Sequence, residues 1–112
     1  MDIDPAAAFA LLAVSVLTGS LMPAAHMPAW LPNDKLLHLL AYGALAALLS
    51  LKFHDPATLA GAVLACFLGS IGIEWLQKFV PGRMFCVRDL AANGAGLLMG
   101  AALGTLWLKD FA

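Results

Sequence analysis

The chain is written as long apolar runs separated by short polar breaks. The run from Pro5 to Ala25 contains no Asp, Glu, Lys, Arg or His. The run from Leu36 to Leu51 contains only His38 from that set. Ala57 to Ile73 contains none, and its helix is expected to continue through Glu74 to Phe79. Leu90 to Leu108 contains none. These runs are apolar on every face, whereas a membrane-barrel strand alternates apolar and polar positions. A helix needs about 20 residues to cross the hydrocarbon layer. The pattern therefore predicts an all-α membrane protein, a bundle of four transmembrane helices in a single domain over 1–112. The expected helices lie at about 5–25, 34–53, 57–79 and 89–108.

The breaks carry turn chemistry. Pro23, Pro28 and Pro32 make the first connection long and irregular, because proline ends helices. His54-Asp55-Pro56 is a tight second connection. In Val80-Pro81-Gly82-Arg83, Pro-Gly suits the centre of a type II turn, where glycine accepts the positive φ. The second run is short for a span. It is expected to recruit Asn33, Asp34 and Lys35 at its start and Lys52 and Phe53 at its end, the lysines snorkelling to the headgroups. The amino end, Met1-Asp2-Ile3-Asp4-Pro5, is acidic, and no Ala-x-Ala site follows the apolar run. It reads as a retained first helix rather than a signal peptide.

Composition narrows the class. Hydrophobic residues make up 62% and charged residues 12% of 112, and the mean hydropathy is +0.90. Soluble domains are roughly 45–50% apolar and about 25% charged. With a net charge of -1 there is no basic field to hold nucleic acid. Cys66 and Cys86 show neither a disulfide pattern nor metal spacing. Paired carboxylates could hold a divalent metal, but nothing in the spacing demands it, so neither metal nor cofactor is expected. Trp30 and Trp107 fit interfacial belts. Gly96, Gly100 and Gly104 form a small-residue stripe. Such a stripe seats a helix closely, either inside the bundle, the reading favoured here, or between subunits of an oligomer.

The polar residues gather at one end. Asp34, His38 and Tyr42 share a face of the second helix, Glu74, Gln77 and Lys78 a face of the third, and Asp89 and Asn93 a face of the fourth. Polar groups in hydrocarbon are costly without partners, so these stripes are expected to face one another. Arg83, just past the Pro-Gly turn, can fold back toward Glu74 and Asp89. Glu74 follows a long uncharged run, and an acid at such depth is a functional candidate. The bland readings stand beside this one. Asp34 and Asp89 can cap helices, Gln77 and Asn93 can tie helices together, and Glu74 can be half of an ion pair with Arg83 or Lys78. The functional reading makes Glu74 and His38 the acid-base pair. Asp34, Tyr42, Gln77, Arg83, Asp89 and Asn93 become ligand-binding residues, Arg83 suiting a phosphate or carboxylate.

Three segments resemble the VanZ-like membrane proteins. They are Asp34-Lys35-Leu36-Leu37-His38-Leu39-Leu40-Ala41-Tyr42, Gly72-Ile73-Glu74-Trp75-Leu76-Gln77-Lys78-Phe79-Val80-Pro81-Gly82-Arg83, and Arg83 followed by Asp89, Asn93 and Gly96. Cys86 departs from the serine common in the family, which argues against a hydroxyl nucleophile there. The resemblance implies a small multi-pass protein of the bacterial cytoplasmic (inner) membrane. The family takes its name from a protein that lowers susceptibility to teicoplanin. The resemblance thus implies a role in the cell envelope, binding or modifying a membrane lipid or a lipid-linked or amphipathic compound. The alternative is a non-catalytic accessory subunit whose polar cluster only holds the helices together. Both remain open at this level, and so does enzymatic activity.

Overall fold

The computed structural model describes residues 4–23, 34–82 and 87–111, without the side chains of 34, 35 and 108–111. Four helices account for nearly all of them: α1 (Pro5–Ser20), α2 (Asp34–Lys52), α3 (Pro56–Gln77) and α4 (Val87–Phe111). No strand occurs among the described residues.

Two helices start with the same local device. Asp4 precedes Pro5 and accepts from Ala6 N–H at 3.3 Å. Asp55 precedes Pro56 and accepts from Thr58 N–H at 3.0 Å and from the Thr58 hydroxyl at 2.9 Å. A carboxylate at the N-cap satisfies an amide with no intrahelical partner, and proline at the first helical position lacks the amide that would need one. At the ends, α1 stops at Ser20, earlier than the expected 25. Leu21 leaves the helix, and Pro23 cannot continue it. Gly82 has φ 77°, the conformation a Pro-Gly turn requires of its third residue.

The bundle is held at its centre by α2 and α4, which make the most extensive contact. A side-chain carbon at Gly100 would overlap the Gly43 carbonyl, one at Gly96 the Leu39 carbonyl, and one at Gly104 the Ser50 hydroxyl. The contacts advance in the same sense along both helices, so α2 and α4 run parallel. The glycine stripe therefore seats α2 within the chain. On the α2 side the buried row is Tyr42, Leu45, Ala46 and Leu49, at helical spacing, with Leu97 of α4 packed into it. Phe9, Leu12, Ala13 and Val16 of α1 and Val63, Cys66 and Phe67 of α3 close over this row.

The polarity of the molecule is inverted relative to a soluble protein. Its largest fully buried side chains are Leu97, Gln77, Glu74, Asn93, Ser50 and Ser70, mostly polar, while Leu11, Leu64, Leu68, Leu98, Leu103 and Trp107 face outward. Pro56–Gln77 and Val87–Trp107 are long and apolar enough to cross a membrane, and only 6% of the best window of the former is buried. A core helix of a soluble protein would hide most of that surface, and these two helices leave most of it exposed. Pro5–Ser20 and Leu36–Lys52 are apolar but shorter. Ser15, Ser50 and Ser70 turn their hydroxyls back onto the carbonyls of Leu11, Ala47 and Phe67, which removes a donor from the apolar surroundings.

Candidate functional site

The site is built at the end of the bundle where α2 and α4 begin and α3 ends. His38 lies in the second turn of α2, Glu74 and Gln77 in the last turn of α3, and Asp89 and Asn93 in the first two turns of α4. Helix N-termini carry partial positive charge, so two of them, those of α2 and α4, favour carboxylates at this level.

His38 and Asn93 form the closest polar contact. The Asn93 side-chain oxygen lies 2.5 Å from His38 Nδ1. An amide oxygen only accepts, so with this amide orientation Nδ1–H donates and the neutral ring carries its lone pair on Nε2. Nε2 faces Asp89, 4.0 Å from Oδ2, which is too long for a hydrogen bond. Glu74 completes the group. His38, Glu74 and Asp89 each offer one ligand-type atom, and the three atoms lie within 4.8 Å of one another. Burial is graded across the cluster. Asn93 and Glu74 are fully buried, while the His38 and Asp89 side chains are 11% and 14% exposed, so these two form its outer edge. The Asn93 amide nitrogen is buried and has no hydrogen-bond partner among the described residues.

Tyr42 lies one turn deeper, its ring stacked near-parallel to His38 with centroids 6.2 Å apart, and it belongs to the apolar row as much as to the cluster. Gln77 faces another way. Its Nε2 donates to the carbonyl of Ser20 at 2.7 Å. Ser20 closes α1, and the last carbonyls of a helix have no intrahelical donor. Gln77 thus ties the end of α1 to the end of α3. Asp89 is the third residue of α4, in its first turn rather than at its cap. Lys78 is exposed, with Nζ 4.3 Å from the Trp75 ring centroid. Arg83 and the Asp34 side chain lie outside the described residues. One contact carried no sequence signal beyond a loop position: His54 Nε2 lies 2.9 Å from the Leu51 carbonyl at the end of α2, where a ring N–H satisfies an end carbonyl.

The residues that converge are those of the second and third motif segments, brought onto the histidine of the first. The model of one family, VanZ/LLP1, matches residues 7–108, nearly the whole chain. The chain belongs to the VanZ/LLP1 family. The match takes in all four helices apart from the ends of α1 and α4. Family membership and the two long apolar helices together point to a VanZ-like membrane protein. No curated protein and no solved structure matches the chain at a significant level.

Proposed function

We propose that this VanZ-like protein sits in the bacterial cytoplasmic membrane as a multi-pass bundle and binds or modifies a lipid-linked envelope compound at the His38–Glu74–Asp89–Asn93 cluster. One observation carries the reading. Three helices each spend buried or part-buried polar side chains at the same level, on the inside of a molecule whose outside is apolar. Holding a bundle together needs fewer: Gln77 and the glycine seam already tie the helices. The outer edge formed by His38 and Asp89 is the side a headgroup would approach, and Arg83, near by in sequence, offers a planar fork for its phosphate. Glu74 and His38 supply proton transfer if the compound is modified. Lowered teicoplanin susceptibility is the envelope phenotype this role predicts.

The alternative is an accessory subunit, in which Glu74 only balances a neighbouring charge. Glu74→Gln and the double change with Arg83→Met distinguish the two. Cells expressing each variant are scored for membrane level and for teicoplanin susceptibility. In the binding or modifying role, both variants insert and both lose the phenotype. In the accessory role, Glu74→Gln lowers the membrane level and the double variant restores level and phenotype together, because no charge is then left unpaired. A fully active double variant would rule out the proposed role of Glu74.

A further inference from the structure

The cluster has a feature that lipid binding does not require. In the neutral ring that Asn93 orients, the His38 lone pair on Nε2 points toward the Asp89 carboxylate. Glu74 brings a second carboxylate to the same place from another helix. An imidazole nitrogen and two carboxylates facing one centre form a donor set suited to a cation. A proton on Nε2 is the competing occupant, at an ion-pair separation of 4.0 Å from Asp89.

We propose that His38, Glu74 and Asp89 bind a divalent transition-metal ion, Zn2+ or an ion of similar chemistry, at the membrane-buried end of the bundle. The dimensions fit. Three atoms no more than 4.8 Å apart share a point within about 2.8 Å of each, and bonds from Zn2+ to nitrogen or oxygen are about 2.0–2.2 Å. A contraction of several tenths of an ångström closes the site, within the reach of side-chain rotation. Imidazole with two carboxylates suits a borderline ion better than Mg2+ or Ca2+, which take oxygen ligands. Three protein ligands leave one position open, toward the His38–Asp89 edge. The hydrogen bond from Nδ1 to Asn93 is the outer contact that metal-bound histidines make, and it orients the ring. Asn93 is therefore a positioning residue. Its amide nitrogen is buried and has no hydrogen-bond partner among the described residues. Sequence spacing hides this set, because each ligand comes from a different helix. The proposal goes beyond the lipid reading and stands on the cluster geometry alone.

The test uses the full chain, purified in detergent without a polyhistidine tag, stripped by chelator and titrated with Co2+. The wild type is expected to take up close to one Co2+ per chain, with a visible ligand-field band that Zn2+ removes. His38→Ala and Asp89→Asn are expected to lose the band. Asp55→Asn, an exposed carboxylate at the other end of α3, is expected to keep it. Asn93→Ala is expected to weaken binding about 10–100-fold without abolishing it. Helical circular dichroism accompanies each variant. Asp89, at the outer edge of the cluster, gives the substitution least demanding on folding. A wild type that binds no Co2+, or a folded Asp89→Asn variant that binds like the wild type, overturns the proposal. Because the readout is the bound ion, its failure leaves the teicoplanin test untouched.

Discussion

At the scale of single residues, two hydrogen bonds make separate demands. Gln77 is buried and donates to an end carbonyl of α1. Replacing it with leucine keeps the volume and strands that carbonyl, which costs about 1–3 kcal/mol. Gln77→Leu should therefore unfold at lower denaturant in a detergent titration, while leaving metal uptake at His38 intact. Asp55 differs because it is exposed. The Thr58 amide, and then its hydroxyl, hold the Asp55 carboxyl below its ordinary 3.8. A depressed carboxyl contributes stability that is complete above its unfolded value and disappears as pH falls through the folded one. Thermal unfolding of the wild type should thus weaken on acidification below the carboxylate range. Asp55→Asn keeps a cap without titrating, so it should lose less over the same interval.

At the scale of elements, the α2–α4 seam is the most sensitive to volume. At Gly100 an added methyl meets the carbonyl of Gly43, which is backbone and cannot rotate away. Gly100→Ala is expected to push the helices apart and destabilise by about 1–3 kcal/mol, as overpacking does. Gly61→Ala on α3 is the matched control, because nothing lies near that position. It should be neutral or slightly stabilising, since alanine is the better helix former. Equal losses at the two positions, measured by steric trapping or denaturant titration, would show that the seam has no special role. The seam also aligns the site. Gly96 sets the depth of α4 against Leu39, the neighbour of His38, and Asn93 lies one turn away.

For the whole molecule, orientation in the membrane is the open physical quantity. Near the helix ends, Lys35, Lys78, Arg83 and Arg88 lie at the end bearing the cluster, and Lys52 and Lys109 at the other. Positive residues favour the cytoplasmic side, which predicts a cytoplasmic cluster end. Lys78, stacked on Trp75 and near Phe79, has the form of an interfacial anchor at that end. Phe79→Cys in a Cys66→Ala, Cys86→Ser background tests the assignment. An impermeant thiol reagent should label that cysteine only after the cells are opened. Labelling in intact cells would reverse the orientation and place the cluster outside.

The helices and their apolar character were legible along the chain because they depend on neighbours in sequence. The caps were not: capping carboxylates were expected at Asp34 and Asp89, whereas those among the described side chains are Asp4 and Asp55, and Asp89 lies inside the first turn of α4. Apolar runs set the helices, Asp-Pro pairs set the starts of α1 and α3, and Pro-Gly set the turn after α3. Helical spacing also placed His38, Glu74, Asp89 and Asn93 on inward stripes, since a polar group in hydrocarbon must turn toward a partner. Which partner it finds depends on the rotation and depth of each helix, and those were fixed by contacts between residues far apart in sequence. Gly43 against Gly100 set how closely α2 and α4 approach. That approach gave His38 to Asn93 and pointed its free nitrogen at Asp89, while Gln77, one turn past Glu74, went to α1 instead. Sequence periodicity states which face a side chain takes. Only packing three helices together decides which atoms on those faces come within bonding distance.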